Sequence, residues 1–132
     1  MKQIEIAKIQ PTEQYLCRRT LDHLREAEAH DMITVLHIDG KHYLSDGHNR
    51  AFLYHRLGFE KIIADVQDPA QFNPAYGFGY YAEKVEEDAE ICKRLGIKSI
   101  ADLERRVVPT RDDVKRLSAS SALEFDEATR DQ

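Results

Sequence analysis

The chain has 132 residues, a formal net charge of −5, 42% hydrophobic and 33% charged residues, which suits one globular domain with a modest core. The negative balance argues against a protein that coats nucleic acid through a cationic surface. No apolar run reaches the roughly 20 residues of a membrane span, and Met1-Lys2-Gln3-Ile4-Glu5 lacks a signal-peptide core, so no membrane partner is expected and a cytoplasmic location is the default. Cys17 and Cys92 match no metal-ligand spacing and fall at apolar positions, which reads as buried thiols rather than a disulfide or redox pair.

Residues 4–9 alternate apolar and polar, the period of a half-buried strand. Pro11 ends it, and Thr12 offers a helix cap. Residues 15–30 place Cys17, Leu21, Leu24 and Ala27 at spacings of three and four, an amphipathic helix. Residues 32–38 are apolar and β-branched and predict a central strand. Asp39-Gly40 predicts a hairpin turn, with residues 41–45 as the return strand.

A helix over residues 48–57 follows, apolar around most of its circumference and stopped by Gly58. Residues 61–66 predict a further strand. The stretch 68–79 holds Phe72, Tyr76 and Phe78 among prolines and glycines, a long loop that either forms a pocket wall or is pinned onto the core. Residues 81–95 predict an amphipathic helix stopped by Gly96. Ser99-Ile100-Ala101-Asp102 resembles a capping box that opens a short helix to about residue 107. The expectation is a compact α/β domain, bordering on α+β, with a small mixed sheet over residues 1–109. A polar tail over 110–132 follows, partly disordered, its last ten or so residues fraying.

The most chemically dense stretch is Tyr43-Leu44-Ser45-Asp46-Gly47-His48-Asn49-Arg50-Ala51, where a strand turns into a helix. A helix N-terminus presents unpaired N–H groups and the positive end of a dipole, which suits phosphate. Gly47 lets a ligand approach the backbone, and His48 and Arg50 add side-chain donors. Asp46 either caps the helix, ligates Mg²⁺ carried by a nucleotide, or orients His48.

The Asp46-Gly47-His48-Asn49-Arg50 corner, followed by Leu57-Gly58 and a strand, resembles the ParB/sulfiredoxin superfamily over about residues 3–67. In that superfamily the corresponding corner binds nucleotide phosphates. Sulfiredoxins carry a reactive cysteine in the corner, and none stands here. Chromosome-partitioning ParB proteins carry a different corner and add DNA-binding helices, and no helix-turn-helix is evident. The free L-serine kinases resemble the chain at two places, the Asp-Gly-His-x-Arg corner and a Pro-x-Glu element, here Pro11-Thr12-Glu13.

That resemblance implies a nucleotide-dependent kinase of free serine or a similar small hydroxyl compound, using ATP or ADP with Mg²⁺. Glu13 is then the general base. Asp46 is a metal ligand or second base, and Gly47, His48, Asn49 and Arg50 hold nucleotide phosphate. Asn49 stands where those kinases often carry other residues. Read without the resemblance, Glu13 is an acidic residue in a helix's first turn. The alternative function is a non-catalytic nucleotide- or partner-binding module of a regulatory or DNA-associated system.

Other polar residues admit two readings each. His37 and His42 face each other across the hairpin as a metal pair or, more simply, a surface pair. His55 lines the pocket or packs. Arg18-Arg19 meet a ligand anion or lie exposed.

Overall fold

The computed structural model describes residues 1–27, 30–69 and 78–130. Strand β1 (Lys2–Glu5) runs into a 3-10 turn at Ile6–Lys8 and emerges as β2 (Ile9–Gln10). The continuous strand expected over residues 4–9 is thus broken. The reason is topological. The five-stranded sheet has the order β1-β6-β4-β5-β2, in which β4 is Ile33–Ile38, β5 is Lys41–Asp46 and β6 is Lys61–Gln67. One short segment therefore supplies both edges of the sheet.

In a flat sheet the outer strands would lie about 19 Å apart, at about 4.8 Å per neighbour. Four residue steps through a 3-10 turn advance only about 8 Å. The sheet must curl to bring its edges together. The Ile6 N–H donates to the Glu60 carbonyl at 2.9 Å, which ties the turn to the start of β6.

Strands β4 and β5 form the expected hairpin, with His37 opposite His42. Its turn places Asp39 at φ 50 and Gly40 at φ 78, the left-handed pair that a tight hairpin needs. Strand β4 also pairs in parallel with β6. The connection from β5 to β6 runs through helix α2 (His48–Arg56).

Alternate residues of the central strands face opposite ways. Ile33, Val35 and Leu44 join Ala51, Phe52 and Leu53 of α2 in the main core, together with Ile97, Ile100 and Leu103. Leu36 and Tyr43 point to the other face and meet Val85 and Ala89 of α3 (Phe78–Arg94). The aromatic loop expected over residues 68–79 falls mostly outside the described residues; its last two positions already belong to α3.

Further elements differ from the sequence expectation. The helix expected from residue 15 begins later, as α1 (Arg18–Glu26), because Leu16–Cys17 form β3. That strand pairs in parallel with β7 (Val107–Val108). Leu16 and Cys17 are 0% and 3% exposed, so tertiary pairing overrides their helical spacing.

The region 110–132, expected as a polar tail, is largely helix α4 (Arg111–Arg130). Thr110 and Asp113 bond reciprocally there: the Asp113 N–H donates to Thr110 Oγ1 at 3.3 Å, and Thr110 N and Oγ1 donate to Asp113 Oδ2 at 3.3 and 3.0 Å. Ser99 and Asp102 form the expected capping box, although the turn they open, Ile100–Arg106, is 3-10 rather than α. Cys17 and Cys92 are both free and buried, as expected. Among the described residues no helix is long and apolar enough to cross a membrane.

Phe52 is 1% exposed at the centre of the main core, whereas Phe59 is 55% exposed. Phe52→Ala is expected to cost about 3–5 kcal/mol in denaturant unfolding, and Phe59→Ala much less. Equal losses would mean that the core is not organised around α2.

Candidate functional site

Helix α2 starts at Gly47, which stands at φ +100, the left-handed region. A Cβ there would come within 2.7 Å of Ile33 Cγ2 and 3.0 Å of the Arg50 guanidinium. Only glycine lets the strand turn this sharply while the guanidinium folds back over the turn. The Asp46 carboxylate does not cap the helix. Its Oδ2 accepts from Arg50 Nη2 at 2.9 Å, and among the described residues no side chain caps α2. The first helical bond is from the Ala51 N–H to the Gly47 carbonyl. The N–H groups of His48, Asn49 and Arg50 precede it and have no side-chain acceptor among the described residues, which is the condition for anion binding.

The His48 side chain turns inward instead of toward an anion. Its ring is 0% exposed. Nε2 accepts the backbone N–H of Thr12 at 2.9 Å and of Glu13 at 3.1 Å. An imidazole nitrogen that accepts must be unprotonated, so the ring is neutral with its proton on Nδ1. Burial holds the His48 pKa down at about 3. Nδ1 lies 3.6 Å from Glu13 Oε2 and has no hydrogen-bond partner among the described residues. What His48 offers a phosphate is therefore its backbone N–H, not a charged ring.

Asn49 is committed in the same way: its Oδ1 accepts the Cys17 N–H at 3.1 Å, pinning β3 to the first turn of α2. Arg50 is the corner's cation, with a second carboxylate, Asp31, 3.9 Å from Nη1.

Glu13 lies in the loop between β2 and β3, not in a helix. That loop is fixed by long-range bonds. Thr12 Oγ1 donates to the Leu44 carbonyl at 2.6 Å, Arg106 Nε to the Gln14 carbonyl at 2.7 Å, and the Cys92 thiol to the Glu13 carbonyl at 3.6 Å. Burial pushes the Cys92 thiol up to about 12, so it stays a donor. The Glu13 carboxylate itself remains 51% accessible. Burial at the cavity wall raises its pKa above the usual value of 4.5, Asp46 and Asp88 add to the rise, and Arg111 opposes it.

Glu13, Asp46, Gly47, His48, Asn49 and Arg50 all line one cavity of about 490 Å³, a size that suits a small-molecule site. The structure thus brings together every residue singled out from the Pro-x-Glu and Asp-Gly-His-x-Arg elements. It also adds a wall that the sequence reading missed: Arg111, Val114, Lys115 and Ser118 of α4. Thr110-Arg111-Asp112-Asp113 held the available signal, a capping-box pattern with aspartate in the last place.

Cys17 also borders the cavity. Burial raises its thiol pKa, but hydrogen bonds from the Thr20 side chain and from the Thr20 and Arg19 backbone, with the Arg111 charge, bring it below the ordinary value.

The remaining candidates lie elsewhere. Arg18 and Arg19 line a separate groove with Asp22, His23, Glu26 and Pro109. His55 is exposed and packs against the Phe52 ring at 6.3 Å. His37 and His42 stack across the hairpin at 5.1 Å. Among the described residues no three His, Cys, Asp or Glu side chains converge on a metal position. Asp46, 72% exposed with one oxygen held by Arg50, offers a single carboxylate.

No protein-family model and no curated protein matches the chain. Solved structures give distant likenesses. The protein Atu1540 from Agrobacterium tumefaciens is similar at 21% identity and a TM-score of 0.44, over 51% of this chain and 37% of that one. Sulfiredoxin from Arabidopsis thaliana is similar at 18% identity and a TM-score of 0.36, over 52% of this chain and 86% of that one.

Two expectations follow from the corner. Gly47→Ala should cost about 1–3 kcal/mol from backbone strain and displace Arg50 from the cavity, seen as a lowered thermal midpoint together with weakened anion binding. A neutral loss would contradict the close approach at Gly47.

His48 has its folded-state pKa lowered to about 3 from 6.5, so its contribution to stability is present above 6.5 and is lost as pH falls toward 3. Acid unfolding followed by circular dichroism should show a shallower loss over that window in His48→Gln, which keeps an acceptor but does not titrate. Identical slopes in the two proteins would remove His48 as the acid-sensitive group.

Proposed function

We propose that the chain is a nucleotide-dependent phosphotransferase that acts on free L-serine or a similar small hydroxyl compound, with ATP or ADP as donor. One observation carries this: Glu13 and the uncapped N-terminus of α2 line the same cavity. The carboxylate that would take a proton and the backbone donors that would hold a phosphate thus meet in one space. The resemblance of Pro11-Thr12-Glu13 and the Asp46 to Arg50 corner to free L-serine kinases supports the same assignment.

Phosphoryl transfer depends on alignment and charge neutralisation more than on covalent help from the protein. The N–H groups of His48, Asn49 and Arg50 and the Arg50 guanidinium would hold the transferred phosphoryl group. Asp46 keeps that guanidinium oriented through its bond to Nη2 and leaves its other oxygen for the cation. Mg²⁺ would supply additional neutralisation of the phosphate oxygens.

The acceptor hydroxyl oxygen forms the new bond to phosphorus while the bond to the leaving nucleotide oxygen breaks. The hydroxyl proton passes to the Glu13 carboxylate. The bonds that fix the Thr12 to Gln14 backbone favour this role, since a base must be placed before the substrate arrives. The raised Glu13 pKa makes it a better proton acceptor than an ordinary glutamate once it is ionised.

The test is incubation with L-serine, Mg²⁺ and either ATP or ADP, with phosphoserine followed by mass spectrometry. Glu13→Gln is expected to lower kcat by about 10²–10⁴ and to leave nucleotide affinity unchanged. In the active protein the acid limb of kcat/KM should have its midpoint above 4.5, since burial raises the Glu13 pKa, and should disappear in that variant. Nucleotide binding without product from either donor would reject this activity on serine and favour the non-catalytic module.

A further inference from the structure

We propose that α4 supplies a second anion site in the same cavity, where Arg111 and Lys115 bind the carboxylate of the acceptor. The acceptor class is then a small hydroxy acid or amino acid rather than a neutral alcohol. The assignment of the bound molecule as an acceptor rests on the phosphotransferase reading; the carboxylate site itself does not.

Helix geometry comes first. Arg111, Val114, Lys115 and Ser118 all line the cavity, and their spacing of three, one and three places them on one face of α4. The Thr110–Asp113 bonds fix where that helix begins, and so fix Arg111 in its first turn.

Charge comes next. The cavity holds three cationic side chains, Arg50, Arg111 and Lys115, and two carboxylates, Glu13 and Asp46. Arg50 is bonded to Asp46 at 2.9 Å and has Asp31 at 3.9 Å, so its charge is largely met. Neither Arg111 nor Lys115 forms an ion pair among the described residues. The Arg111 charge acts on Glu13 and also on Cys17, so it belongs to the side of the cavity where the acceptor hydroxyl must lie. Both side chains are exposed and open to an entering anion, and a neutral acceptor would make no use of their charge. A carboxylate would meet the planar fork of Arg111 with the point charge of Lys115 beside it.

A third observation is independent of α4. His48 Nδ1 is fully buried and has no hydrogen-bond partner among the described residues, and it lies 3.6 Å from Glu13 Oε2 at the cavity wall. A protonated ring nitrogen buried without an acceptor is costly. The His48 side chain has no exposed surface as it stands, so a ligand oxygen beside Glu13 would reach Nδ1 once that carboxylate shifts toward the ligand. The cavity therefore has an unmet donor at the hydroxyl position and unmet cations on the adjacent wall, which together describe one molecule bearing a hydroxyl and a carboxylate.

The experiment is calorimetric titration of the full chain with L-serine and with serinol, which replaces the carboxylate by a second hydroxymethyl group. ATP and ADP are titrated separately. The proteins are the unaltered chain, Arg111→Gln, Lys115→Gln and the double variant, with circular dichroism confirming the fold of each. The expected result is that L-serine binds the unaltered chain more tightly than serinol. The double variant should then lose roughly tenfold or more in L-serine affinity, with serinol, ATP and ADP unchanged.

Equal binding of serinol and L-serine to the unaltered chain would overturn the proposal, as would no binding of L-serine. A loss confined to ATP or ADP would also overturn it and assign α4 to the nucleotide. Binding of L-serine that depends on Arg111 and Lys115, without phosphoserine formation, would uphold the carboxylate site while rejecting the transfer reaction.

Discussion

The imidazole of His48 joins the two halves of the site. Its Nε2 accepts N–H groups from Thr12 and Glu13, and its own backbone opens α2. The loop that carries the Glu13 carboxylate and the helix that opens with uncapped N–H groups are therefore held by one buried ring. This bond works only while the ring is neutral, because a protonated Nε2 would confront two donors with a third. Burial enforces neutrality by making the charged form costly. A lysine or arginine at this position would add charge to the corner but would lose the loop.

The curled sheet makes that junction reachable. Strand β2 sits beside β5 because the 3-10 turn at Ile6–Lys8 carries the chain from one edge of the sheet to the other. The loop after β2 thereby starts next to the end of β5, where the corner lies. Thr12 Oγ1 confirms the adjacency through its bond to the Leu44 carbonyl. Residues far apart in sequence complete the frame: Cys92 and Arg106 bond the Glu13 and Gln14 carbonyls. The core beneath them is continuous with Ile97, Ile100 and Leu103, so the site is as rigid as the packing that supports it.

Much of this was legible in the residue pattern, and what was not has identifiable causes. The hairpin at Asp39-Gly40, helix α2 and the mixed α/β class were readable because turn chemistry and hydrophobic period are local signals. The strand at Leu16–Cys17 was not, since its pairing with Val107–Val108 is non-local and its apolar spacing also fits a helix. The corner residues were found as a group, but their division of labour was hidden. Histidine and asparagine read as ligand donors in a sequence, whereas here His48 and Asn49 accept backbone N–H groups from neighbouring segments. Only the packing of the loop and of β3 against α2 decides which direction those side chains take.

Electrostatics sharpen the same division. The chain as a whole carries −5, yet cationic side chains gather at the cavity on two separate elements, α2 and α4. The two groups are not equivalent. Arg50 is braced by Asp46 and held against Gly47, so its position is set and its net charge is reduced. Arg111 stands in the first turn of a capped helix and depresses the pKa of Glu13 against the effect of burial. A fixed guanidinium favours one geometry for an anion; a cation without an ion-pair partner gives affinity to whatever anion enters beside it. Glu13 lines the same cavity as both cations, and of the two it is Arg111 whose charge acts on it. Burial and the nearby aspartates make it a stronger base, and the Arg111 charge opposes that rise.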